Sequence, residues 1–221
     1  MEFRLLYQGP LLGSDKEKTR APHKHMIRRS FHPQLRRLWK TKYGLRTMAE
    51  QIGFQHLNDL IQITGRPIDI ADGEQRSNQL REAAFSHLAN KWERARYGFI
   101  PLVTPDLSLS CSIDMLMLRP EETRMVMNAG DLDARVKTVF DALRIPDNLE
   151  EAGGQGPQDD ETPFFCLLSD DKLVSEIRVR ADELLALPGD REPKPNDVYL
   201  QIHVRIKPRE RSMFSWVFDS I

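Results

Sequence analysis

Asp131, Asp133 and Lys137 open a stretch of apolar residues at helical spacing, and Asp170 and Asp171 follow the short apolar run from Phe164 to Leu168. Carboxylates gathered in one place repel one another unless a cation neutralises them, so this set points to a divalent-metal site. The chemistry that suits it is phosphodiester hydrolysis. Carboxylate oxygens are hard ligands for Mg²⁺ or Mn²⁺, and a lysine beside them offers fixed positive charge where a phosphorane gains negative charge.

The elements that must position these groups can be read nearby. Leu132, Val136, Val139, Phe140 and Leu143 share one helical face, with Asp133, Lys137 and Asp141 running beside it, and Asp131 suits the cap. Ile177, Val179 and Ala181 alternate with Arg178, Arg180 and Asp182, which predicts a strand with one buried face just after the acidic pair. A plainer account competes. Asp133 and Lys137 would form an i,i+4 ion pair worth about 0.3 kcal/mol, Asp131 would only cap, and Asp170-Asp171 would be turn chemistry.

The order Asp-Leu-Asp, Lys four residues on, Asp141-Ala142-Leu143, then Asp170-Asp171 with Val174 three residues later, resembles the RusA family of Holliday-junction resolvases. The resemblance covers about Gly130 to Val179, with a final strand expected over 197–207. It implies Mg²⁺ bound by Asp131, Asp133 and Asp171, a requirement for Lys137 in cleavage, branched DNA as substrate and a homodimer. Asp170 is the candidate for orienting a metal ligand. Ala134 stands where the family usually has Asn, and the segment 146–162 is longer than usual.

The net charge of −1 hides a segregation. Between residues 16 and 46 the chain is strongly basic, with Glu17 as its only acid. Such a run suits phosphate neutralisation, and Lys24, Arg28, Arg29, Arg36, Arg37 and Lys40 are its candidate DNA contacts. The alternative is a solvated face anchored by Phe31, Leu35, Leu38 and Trp39. His23-Lys24-His25 reads as a mobile basic loop, because no Cys or acid nearby completes a metal set. Gly153-Gly154-Gln155-Gly156 lacks the flanking strand and Lys-Ser/Thr of a phosphate cradle.

The predicted fold class is α+β: one RusA-like domain over 1–221, a small mixed or antiparallel sheet with helices on one face, and a helical insertion. The basic segment is placed at 16–46, the insertion at 47–96 and the core at 97–207. Strands are expected near 2–8, 99–104 and 109–118, the latter two as a hairpin turning at Pro105-Asp106. Residues 146–162 read as a mobile acidic insert that shortening would leave folded. Cys111 and Cys166 sit in apolar runs and read as buried thiols. No apolar run approaches a membrane span and the first residues do not suit a signal peptide, so a cytoplasmic chain is expected. Two other functions fit the same residues: a nucleic-acid-binding module without turnover, and a nuclease acting on RNA or on other branched DNA.

Overall fold

The computed structural model describes residues 1–13, 17–120, 129–185, 194, 196–210 and 214–219; within these, the side chains of 17–20, 129–131, 215 and 219 are not described. The described chain is α+β. Two sheets carry it, and the strand alternation read from the sequence explains how the larger one is buried.

In that sheet, β1 (Glu2–Pro10) pairs antiparallel with β7 (Asp197–Pro208), β7 antiparallel with β4 (Leu109–Arg119), and β4 parallel with β6 (Val174–Glu183). Val198, Leu200, Ile202, Val204 and Ile206 of β7 point into the core, as do Cys111, Ile113, Met115 and Met117 of β4. Period-two alternation has this result when one face is covered. At the edge, β6 behaves otherwise. It is a strand as expected, but the face expected to be buried is open, with Ile177 55% exposed.

The second sheet holds β2 (Glu93–Arg94), β3 (Tyr97–Val103) and β5 (Phe164–Leu168), with β3 and β5 parallel. The predicted hairpin is therefore corrected. A turn does form at Pro105, with Ser108 N–H bonded to its carbonyl, but β3 and β4 leave it into different sheets. Both β3 and β5 are buried almost throughout, which period-two reasoning cannot separate from a buried hairpin strand.

Helix α1 (Glu17–Thr41) runs through most of the basic segment and takes in His23-Lys24-His25, so that segment is no loop. Its buried face carries Ile27, Phe31, Leu35 and Trp39. On its outer side Gln34 both accepts from and donates to the backbone of Leu6, occupying the free edge of β1. Helices α2 (Tyr43–Thr64) and α3 (Gly73–Lys91) fill the place predicted for a helical insertion. They approach so closely that a Cβ on Gly53 would lie 1.8 Å from the carbonyl oxygen of Leu80.

The segment after α4 (Ala129–Leu143) is built into the molecule, against the expectation of a mobile insert. Ala152 and Glu161 are buried, Tyr97 Oη donates to the Gln155 carbonyl, and Glu161 holds Arg29. Of its acids, Asp147 and Glu151 pair with Arg144. At the C-terminus α5 (Ser215–Asp219) docks on the core through Val217 and Phe218, and the Met1 ammonium donates to the Phe218 carbonyl at 2.6 Å. Both cysteines are buried free thiols, and burial pushes Cys111 up to about 12. Among the described residues no helix is long and apolar enough to cross a membrane.

Candidate metal centre and nucleic-acid interface

Helix α4 forms along the predicted apolar stripe but starts at Ala129, so Asp131 lies in its first turn rather than at its cap. Ala134, Val139, Ala142 and Leu143 face the core, and Asp133 and Lys137 are exposed, one turn apart. The i,i+4 ion pair is not made: among the described residues neither Asp133 nor Lys137 has a salt-bridge partner. Ala134, at the position of the family's Asn, is buried and its carbonyl accepts from Thr138. The side chain of Asp131 lies outside the described residues.

Asp170 and Asp171 follow β5. Asp170 Oδ1 accepts from the backbone N–H of Lys172 at 2.9 Å, which caps the short 3₁₀ turn over Asp171–Leu173. That backbone bond, helped by Asp171, Lys172 and Arg144, holds the Asp170 carboxyl below the usual carboxylate range. Asp171 is exposed. Leu168 bridges to Arg144, just past the C-terminal end of α4. Asp133 lies ten residues before that end, about 15 Å along the helix axis.

The described donors are thus an adjacent pair, Asp170 and Asp171, and a separate exposed carboxylate, Asp133. Among the described residues no group of three or more His, Cys, Asp or Glu is placed to hold a metal ion. Oxygen donors suit a hard cation, but a three-carboxylate set would have to include Asp131. Asp141 pairs with Lys24 and lies 3.6 Å from Arg144 Nε.

The candidate DNA contacts divide sharply. Arg28 is 1% exposed and cannot meet a phosphate from outside. Its guanidinium donates to the carbonyls of Asp141 at 2.6 Å, Glu151 at 3.1 Å and Arg144 at 3.3 Å, tying α1 to α4 and to the loop after it. Burial is the main cause that pushes its pKa down to about 10. Lys24 is spent on Asp141, and Arg29 on Glu161 with a second bond of 3.0 Å. Burial pushes the Glu161 carboxyl up, yet Arg29 and the Gln158 N–H outweigh it and hold it below the usual range. The other three candidates stay available. Arg37 and Lys40 are exposed, Arg36 is half-buried, and none of the three has an ion pair among the described residues.

The histidines of this run are structural acceptors rather than base-stacking groups. His23 Nε2 accepts from the Leu12 N–H at 3.2 Å, and His32 Nδ1 accepts from the Phe165 N–H at 2.9 Å. His25 Nδ1 lies 3.4 Å from Arg28 Nη1. Arg135 was missed by the sequence reading: it is buried and bonds the Leu11 carbonyl and Asn196. The apolar periodicity of α4 contains the signal, since Arg135 adjoins Ala134 and Thr138 on the covered side.

No family model, curated protein or solved structure matches this chain.

Proposed function

We propose that the chain is a divalent-metal-dependent, structure-selective DNA endonuclease similar to RusA resolvases, acting as a homodimer on branched DNA. The observation that carries this reading is that Asp133 and Lys137 face solvent one turn apart with no structural partner among the described residues. A pair between them would contribute only about 0.3 kcal/mol, so both side chains are free to meet a metal and a phosphate. The order of the acids along the chain adds to it, as does the α+β class of the fold. When bound, Mg²⁺ would supply a polarised water and charge neutralisation; the resemblance assigns it to Asp131, Asp133 and Asp171, with Asp170 fixing the turn that presents Asp171, although the described residues do not gather Asp133 and Asp171 into one donor set. Lys137 places positive charge where the phosphorane develops, worth two or more orders of magnitude in rate at comparable sites.

The second reading is a nucleic-acid-binding protein without turnover. Asp170 favours it, because its carboxylate already has a capping role. The deciding experiment incubates four-way junction, flap, duplex, single-stranded DNA and RNA with Mg²⁺, Mn²⁺ or EDTA. Metal-dependent cleavage that is lost in Asp133→Asn and Asp171→Asn, and slowed about a hundredfold in Lys137→Ala with binding retained, supports the endonuclease. Wild-type protein that binds but cuts none of the panel leaves the binding module.

A further inference from the structure

Between the C-terminal half of α1, the start of α2 and α3 lies an open cavity of about 700 Å³. Its wall carries Arg36, Lys40 and Arg46, none with an ion pair among the described residues, against a single lining acid, Glu82. A fourth cation, Arg81, is already held by Glu50 at 3.1 Å. Phe85, Ala89, Pro163 and Phe165 supply an apolar floor, and Asn78, Asn90 and Ser86 add hydrogen-bonding groups.

The three free cations are poorly placed for the folded chain alone. Arg36 and Lys40 sit at i and i+4, where like charges destabilise a helix. Arg46 stands near the N-terminal end of α2, whose first turn has no acid, so it faces the positive end of the helix dipole. An anion in the cavity would relieve both. A volume within the usual range for ligand pockets, a mostly apolar floor and polar groups at the wall suit a flat, polar-edged body attached to that anion.

We propose that this cavity seats a nucleotide unit, its phosphate between Arg36, Lys40 and Arg46 and its base against the floor at Phe85. The unit comes from the unpaired end of a strand or from a free nucleotide. The inference rests on the chain's being a nucleic-acid-handling protein, but not on its cleaving anything.

The test is binding in EDTA, where no metal-dependent cutting occurs, with a 3′-labelled, 5′-phosphorylated single strand read by fluorescence anisotropy. Lys40→Ala combined with Arg46→Ala should weaken binding at least about tenfold and flatten the log K against log salt slope by about 1.4, two charges at ~0.7 each. Ser86→Trp, which fills the cavity and leaves every charge, should produce a similar loss. Arg66→Ala is the control. It removes an exposed cation that lies outside the basic run and does not line the cavity, and it should change affinity less than about twofold. Displacement of the strand by a nucleoside 5′-monophosphate would identify the free nucleotide as sufficient. Displacement only by a second phosphorylated strand would identify the strand end. Equal losses for Arg66→Ala and the double variant, no effect of Ser86→Trp, or no binding by wild type would each overturn the proposal. A wild type that cuts nothing yet shows this pattern removes the endonuclease and keeps the cavity.

Discussion

Replacing Arg28 by Ala should damage the fold rather than the contact with DNA. The guanidinium is buried and gives three hydrogen bonds to main-chain carbonyls, joining α1 to the end of α4 and to residue 151. Hydrogen bonds to a charged group contribute about 1.5–3 kcal/mol each, and removal strands three buried acceptors, while the guanidinium's own desolvation cost is recovered. The net loss should be about 3–5 kcal/mol, the size typical of breaking a buried charged network. Urea unfolding should show it as a midpoint lower by roughly 1–2 M at an unchanged slope, given slopes of about 2–3 kcal/mol/M. Arg28→Lys should recover part of this, because one ammonium can reach fewer of the carbonyls than the planar fork does. The salt dependence of DNA binding, measured at a temperature where the variant is folded, should match wild type. An unchanged midpoint together with a flattened salt slope would refute the reasoning and return Arg28 to the surface.

Two other outcomes follow from buried groups. Burial holds His23 and His32 below their ordinary range and, with Arg28 and Arg29 adding to it, takes His25 down to about 4. The unfolded chain therefore takes up protons below about pH 6.5 that the folded chain refuses, so stability falls as pH drops from about 6.5 towards 4. His25 alone should cost about 2–3 kcal/mol across that window, measurable as a fall in the urea midpoint between pH 7 and 5; a flat profile there would contradict the buried acceptor roles. Gly53→Ala should destabilise by at least about 1–3 kcal/mol, because its Cβ would meet the Leu80 carbonyl and push α2 off α3. A thermal midpoint equal to wild type would mean that the two helices do not approach so closely.

What the sequence made legible is what periodicity encodes. The alternation of β7 and the apolar stripe of α4 were readable because each has one wet face, and the period is then written in the residue types. The pairing of β3 with β5 was not, because both strands are buried almost throughout and nothing in their composition names a partner. The segment 146–162 misled for the opposite reason. Its Gly, Pro and acids resemble a solvated loop, yet Arg144 pairs with Glu151 from the segment's N-terminal flank and Arg29 holds Glu161 from far along the chain. Of the candidate site, Asp133, Lys137 and Asp171 are exposed, as charged side chains commonly are, while the cap made by Asp170 is the turn role that local spacing also allowed.

The basic run of α1 shows how a charge cluster divides once it becomes a helix. At about 100° per residue, Lys24, Phe31, His32, Leu35 and Trp39 all fall within about 60° of Arg28. Arg28 thus lies on the centre line of the apolar stripe, and a cation there must either break the helix's packing or find main-chain acceptors. It finds three. Arg29, Arg36 and Lys40 fall about 80–120° away, on one flank, and Arg37 about 180° away, on the far side. The flank meets a carboxylate at Arg29, through Glu161, and stays unsatisfied at Arg36 and Lys40, where the cavity opens. Counting lysines and arginines cannot make that distinction, whereas their angle from the apolar stripe can. It assigns Arg28 to the fold, Arg37 to solvent, and Arg36 and Lys40 to whatever anion the protein takes.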